Sequence, residues 1–294
     1  MTKEASEIAI VRNGLVNLYA HPKQQSELQG QYLLGEVFGL LGEEGSYYKV
    51  QSDDGLTGWV HKGSLVTVRL EEVDDDVAAS RKMICVSPFT ILVDKETDDS
   101  QPVVMVFLGT VIEIDEPITN YYLKTREWLR VRLPDGELSF LRKKDFMVYS
   151  NYYEKYHNKP ETAIKTALSL LGVPYLWGGT SPAGLDCSGM TQLAMRMSGK
   201  FLPRNSSRQA EVGDKNVFDE LELIERGDLL FFAESVKVNH VGLSLGGAKF
   251  IHASLSYGKV TITSLDKKDR EYDGFFRDIF KFTSRLNWSP EPTV

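Results

Sequence analysis

Only two cysteines, Cys85 and Cys187, occur in the 294 residues. Two do not make a disulfide framework, and no Cys-x-x-Cys pair offers zinc ligands, so neither a disulfide-stapled scaffold nor a metal site is expected. No apolar run approaches the roughly 20 residues of a membrane span. The start of the chain, Met1 to Gly14, lacks a basic stretch followed by an apolar one. It does not read as a signal peptide, and the expectation is a cytoplasmic protein. Basic charge is not in excess either. The formal net charge is -7, with both signs mixed along the chain, which argues against a nucleic-acid-binding face. What is present is ordinary for a globular chain, 42% hydrophobic and 26% charged, and the length suggests two or three domains.

The first 150 residues read as β structure, with short apolar or alternating runs separated by Gly, Asp and Ser. Glu36–Leu41, Tyr47–Gln51 and Thr57–Val60 are the clearest runs of a first unit. After an acidic joint at Glu71–Asp76, a second unit holds Ile84–Val86, Val103–Phe107, Thr110–Ile114, Trp128–Arg132 and Leu138–Leu141. The two units share a pattern and read as a weak internal repeat. Cys85 sits in an apolar run and reads as buried filler. Beyond residue 150 the period changes. Ile164, Ala167, Leu168 and Leu171 recur at helical spacing, stopped by Gly172 and Pro174. A second helix follows from Met190, Leu193, Ala194 and Met197, ending at Gly199. Four strand signals come next: Asp228–Ala233, Val241–Leu245, Lys249–Ser254 and Val260–Leu265. The C-terminal half is therefore α+β, and Trp288 to Val294 reads as a tail.

Cys187 opens the second helix, three residues before Met190 and on its inward face. Free N–H groups and the helix dipole at that end favour an anion, so the position is expected to lower the thiol pKa. Asp186 or Ser188 can serve as the cap. Five histidines occur, and two, His240 and His252, fall on consecutive strands. A two-residue turn at Gly246-Gly247 would set them on opposite faces of the sheet. A three-residue loop pairs Leu245 with Lys249 and His252 with Gly242, which puts both rings on one face. The expectation is this register or an equivalent bulge. A helix-start cysteine opposite two histidines points to nucleophilic attack on a carbonyl. Cys187 is the expected nucleophile, His240 its base, His252 the residue that orients His240, and the Cys187 N–H an oxyanion donor.

Tyr175, Trp177-Gly178-Gly179, Asp186-Cys187-Ser188-Gly189, Leu202-Pro203-Arg204, Gly227-Asp228-Leu229, His240-Val241-Gly242 and Ile251-His252-Ala253 resemble, in order and spacing, the NlpC-type cell-wall peptidases. The resemblance covers roughly residues 155 to 283. It implies a papain-like fold over 155–288 and no cofactor. The N-terminal units look like the two bacterial SH3-like barrels, here 1–72 and 77–150, of γ-D-glutamyl-L-diamino acid endopeptidases. These cut murein peptides that carry a free N-terminal L-alanine. On this resemblance, Asp186, Ser188, Ser206, Tyr175 and Glu27 are substrate-binding residues. The sequence departs from the family at Leu56, where a tyrosine often reaches toward the site. The implied role is recycling of released murein peptides in the cytoplasm. An amidase or acyltransferase on the same Cys–His core, and a non-catalytic wall-binding protein, are the alternatives.

Overall fold

The computed structural model describes residues 7–69, 81–97, 99–115, 120–217 and 220–289. The acidic joint Glu71–Asp76 and the end of the expected tail lie outside them. The chain forms two compact units, Met1–Lys155 and Tyr156–Val294.

In the first unit, β1 (Glu7–Val11), β2 (Leu15–Tyr19), β3 (Leu28–Leu33), β4 (Val37–Glu44), β5 (Tyr47–Gln51), β6 (Thr57–His61) and β7 (Leu65–Arg69) form one sheet in the order β3-β2-β6-β5-β4-β1-β7. Alternating residues close a core of Ala9, Val11, Val16, Leu18, Phe38, Val50 and Val60, against which Leu56 packs. A second set of strands follows: β8 (Lys82–Cys85), β9 (Phe89–Val93), β10 (Pro102–Phe107), β11 (Val111–Glu113), β12 (Trp128–Arg132), β13 (Leu138–Arg142) and β14 (Phe146–Val148), with a short helix α1 (Asn120–Thr125) between β11 and β12. They split into two sheets, β10-β9-β13-β12 and β11-β8-β14. The internal repeat is visible in the succession. The hairpins β5-β6 and β12-β13 are each followed by a single 3-10 turn, Lys62–Ser64 or Lys143–Asp145, and a short closing strand. Leu34 from the first half enters the core of the second. Cys85 is sealed in that core, where burial pushes its thiol up to about 12.

Helix α2 (Tyr149–Tyr156) leads into the second unit. There α3 (Pro160–Ser169) begins with proline in its first turn, where the missing N–H costs nothing. Ile164 and Ala167 are buried as expected, but Leu168, within α3, and Leu171, beyond its end, are exposed. A two-stranded ribbon, β15 (Thr180–Ser181) and β16 (Gly184–Leu185), precedes α4 (Cys187–Met197). All four residues that defined α4 in the sequence, Met190, Leu193, Ala194 and Met197, are buried. After α5 (Ser206–Gln209) comes a six-stranded sheet of β17 (Asp214–Asn216), β18 (Leu229–Phe232), β19 (His240–Gly246), β20 (Lys249–Ser254), β21 (Lys259–Ser264) and β22 (Phe280–Arg285), with α6 (Gly274–Ile279) leading into β22. Its order is β17-β22-β18-β19-β20-β21. The four expected strands, β18 to β21, are contiguous in it, and the last strand inserts between β17 and β18. Helix α4 packs on β19 and β20, which sets Cys187 against the sheet. No helix among the described residues is long and apolar enough to cross a membrane.

Candidate active site

Asp186 is the residue that starts α4. Its backbone is extended, and its Oδ1 accepts from Gly189 N at 2.7 Å, a capping bond worth about 1 kcal/mol. The other carboxylate oxygen accepts from Gly178 N at 2.9 Å. Arg204, almost wholly buried, forks onto both oxygens at 3.0 and 2.5 Å and also donates to Ser188 Oγ at 2.9 Å. Ser188 Oγ in turn donates to Asp186 Oδ1 at 3.2 Å. Five donors meet a group with about four lone-pair sites, so the acceptor capacity of Asp186 is filled from within the fold. The Gly178-Gly179 loop lies directly over the helix start. A Cβ on Gly189 would collide with the Gly179 carbonyl oxygen, and one on Gly179 with that of Gly184. These two glycines are required by close backbone approach.

Cys187, the first residue of α4, is 7% exposed, with its thiol against the Val241 backbone on β19. Burial pushes this thiol up to about 12. The Asp186 charge adds to the rise, and Arg204 and the N–H groups of Val241 and Ser188 oppose it. The expected lowering by the helix end is therefore outweighed. A helix terminus contributes about 0.3–1 kcal/mol, less than the cost of burying a lone anion. His240 shows the counterpart: burial pushes its imidazole down to about 4, against a smaller upward pull from Asp186. Burial thus disfavours both a lone thiolate at Cys187 and a lone imidazolium at His240.

The strands deliver both histidines to one face. Leu243 pairs with Ile251 and Ser244 with Phe250, then the register shifts so that Gly246 pairs with Lys249. Continuing the first pairing by one step sets Gly242 opposite His252. The odd register is met by a bulge at Leu245 with a two-residue turn, the equivalent device. His240 Nε2 lies 2.7 Å from His252 Nδ1, and His252 Nε2 lies 2.9 Å from Thr263 Oγ1 on β21. Phe232, Phe250 and Phe276 surround the two rings, with Phe276 edge-on to His252 at 4.7 Å between centroids. Gly242 makes room for this cage, since a Cβ there would press into the Phe250 ring. His252 is fully buried, and that burial, with His240 alongside, holds its pKa well below the usual value.

Tyr175 is half-buried near the thiol. Burial first, then the charges of Cys187 and Asp186, raise its hydroxyl pKa, so it stays a neutral phenol. Ser206 begins α5, which Gln209 ties to the front of α4: its Nε2 donates to Ser188 O at 3.0 Å and its Oε1 accepts from Thr191 Oγ1 at 2.8 Å. Glu27 and Leu56 belong to the first unit. Glu27 is exposed and precedes β3, its carbonyl accepting from Ala20 N at 3.0 Å. Sequence reasoning took Arg204 as a motif residue without a task, and it missed Thr263 and the phenylalanine cage. The Leu-Pro-Arg run marked Arg204, but nothing local marks the other two.

Residues 172–273 match the family model described as NlpC/P60 family, and residues 13–66 match the one described as bacterial SH3 domain. Over 268 residues the chain is 26% identical to a dipeptidyl-peptidase 6 of Lysinibacillus sphaericus, covering 90% of this chain and 94% of the relative. It is 29% identical over 249 residues to a gamma-D-glutamyl-L-lysine dipeptidyl-peptidase of Bacillus subtilis, with 81% and 76% covered. Its fold is similar to that of an NlpC/P60 family protein from Bacillus cereus, with a TM-score of 0.78, 22% identity, and 95% and 99% of the two chains covered.

Proposed function

Because the chain carries an NlpC/P60 domain of papain-like fold and a bacterial SH3 domain, and is a cysteine peptidase, we propose that Cys187 is its nucleophile, His240 its base and His252 the residue that orients His240. The observation that carries this reading is the 2.7 Å contact from His240 Nε2 to His252 Nδ1, on a sheet face packed against the helix that begins at Cys187. With Nε2 taken up by His252, Nδ1 is the nitrogen left for the thiol proton. The proton passes from Sγ to Nδ1 and the thiolate attacks the carbonyl carbon. The C–N bond then breaks as the departing amine takes that proton from His240. Water hydrolyses the thioester. The Cys187 N–H, in the helix turn whose first N–H groups have no intrahelical acceptor, is the oxyanion donor.

The substrate we assign is a murein peptide with a free N-terminal L-alanine, cut between γ-D-glutamate and the diamino acid. Relatives named for γ-D-glutamyl-L-lysine cleavage align over most of this chain. A free alanine amine arises once the peptide has left its glycan, so the enzyme acts on released peptides, in recycling, and in the cytoplasm. Tyr175 and Ser206 offer hydroxyls to the substrate. Asp186 and Ser188, whose oxygens are already engaged, hold the substrate-facing wall of the site, and Asp186 contributes its charge there. Glu27 stays assigned to the substrate by resemblance alone.

Mass spectrometry of products from L-Ala-γ-D-Glu-diamino acid peptides checks this. Release of L-Ala-D-Glu from the free peptide, with little from its N-acetylated form and none with Cys187→Ala, is expected. Equal cleavage of free and acetylated peptides would remove the amine requirement. Turnover by Cys187→Ala would remove the nucleophile.

A further inference from the structure

We infer that Thr263, through the hydroxyl on His252 Nε2, is a positioning residue that holds the histidine pair in the one tautomeric arrangement able to take the thiol proton. This rests on the roles proposed above for Cys187, His240 and His252. His252 is fully buried inside the phenylalanine cage, so it is a neutral ring with one N–H and one lone pair. Its Nδ1 meets His240 Nε2 at 2.7 Å and its Nε2 meets Thr263 Oγ1 at 2.9 Å. The chain of hydrogen bonds therefore runs in one direction or the other.

In one direction, His240 Nε2–H donates to His252 Nδ1, and His252 Nε2–H donates to the threonine oxygen. His240 Nδ1 then carries a lone pair and accepts the proton of Cys187. In the other, His252 Nδ1–H donates to His240 Nε2, and His240 Nδ1 already holds a hydrogen. The thiol proton then has no acceptor. The first direction also fits the ion pair, because an imidazolium at His240 donates from Nε2 and needs the lone pair on His252 Nδ1. Thr263 makes it available by accepting the hydrogen at the far nitrogen. No proton leaves His252 or reaches Thr263 at any point. The Sγ proton moves to His240 Nδ1 and later to the leaving amine.

Thr263 reaches this position through sheet register. β20 pairs His252 with Thr261 and Phe250 with Thr263, so Thr263 is the diagonal neighbour of His252 on the same face. Valine at 263 keeps the shape and removes the acceptor. The proton of His252 then prefers Nδ1, where it has a partner, and the chain reverses.

The test uses the full-length protein with Thr263→Val and Thr263→Ser. In Thr263→Val, kcat and the rate of iodoacetamide reaction at Cys187 fall about tenfold, the loss of one buried hydrogen bond, while KM stays within about twofold. Thr263→Ser restores both rates. Imidazole 15N spectra of the unmutated protein give a reading that needs no variant, with His252 protonated at Nε2 and bare at Nδ1. His252 protonated at Nδ1, or a folded Thr263→Val with unchanged kcat and alkylation, overturns the inference. If Cys187→Ala is inactive at the same time, the catalytic reading stands and only the role of Thr263 falls. If Cys187→Ala retains turnover, both fall.

Discussion

At the scale of single residues, the site is a contest between burial and charge. The thiol of Cys187 is pushed up to about 12 and the imidazole of His240 down to about 4. Between those values the two groups together hold one proton, wherever it sits. On the roles proposed for Cys187 and His240, the ion-paired fraction of the two then does not change with pH. Below about 4 a second proton settles on His240, the acceptor is lost, and thiolate disappears. The alkylation rate of Cys187 is therefore expected to be flat from about pH 5 to pH 9 and to fall on the acid side. In His240→Ala the rate becomes slower near neutrality and rises about tenfold per pH unit, as for a lone thiol below its pKa. A timed iodoacetamide reaction with mass analysis of the Cys187 peptide measures this. Cys85, sealed in the first unit with its thiol donating to Ser87 O at 3.4 Å, stays unmodified in the folded protein. A Cys187 rate that climbs steadily with pH in the unmutated protein would show that His240 is not its base.

At the scale of elements, the site depends on the start of α4 and on the turn between β19 and β20. Gly189→Ala puts a methyl group into the Gly179 carbonyl. The helix start or the loop above it must then move, at a cost of about 1–3 kcal/mol. Because Cys187 lies two residues before Gly189, kcat is expected to fall together with the denaturation midpoint. Unchanged activity in a folded Gly189→Ala would mean that the close packing does not position the sulfur. The same elements show what was legible in the sequence. A period of two assigns faces along β19 and β20, so a common face for His240 and His252 required one extra residue between the strands. The place of that residue was not legible. Placing the bulge at Leu245 and the turn at Gly247-Ala248 depends on which glycine adopts which positive φ, and both Gly246 and Gly247 do. Strand β22 escaped notice because its two buried residues are Thr283 and Ser284. Polar residues buried mid-sheet carry no apolar alternation. Arg204 on Asp186 and Thr263 on His252 are contacts between segments far apart in the chain or set by register. Such pairings appear only once the fold has brought them together.

At the scale of the whole molecule, two units with separate cores divide the work. The first, with its two β halves linked through Leu34, carries no member of the proposed Cys–His–His set. The second holds all three on one helix end and one sheet face. The change from β spacing to helical spacing near residue 150 marked this division in the sequence, and the two compact units meet between Lys155 and Tyr156. The net charge of -7 and the buried, mostly apolar surroundings of the pair suit a small peptide substrate better than a polyanion. The account of this molecule stands on a covalent bond between one sulfur and the γ-glutamyl carbonyl. The full-length protein mixed with excess L-Ala-γ-D-Glu-diamino acid peptide, quenched in acid within the first turnover and mapped by mass spectrometry, tests that bond directly. The account predicts an L-Ala-γ-D-Glu thioester on the peptide containing Cys187, absent when His240 is alanine. An adduct elsewhere, or product formed at the normal rate by Cys187→Ala, would contradict it.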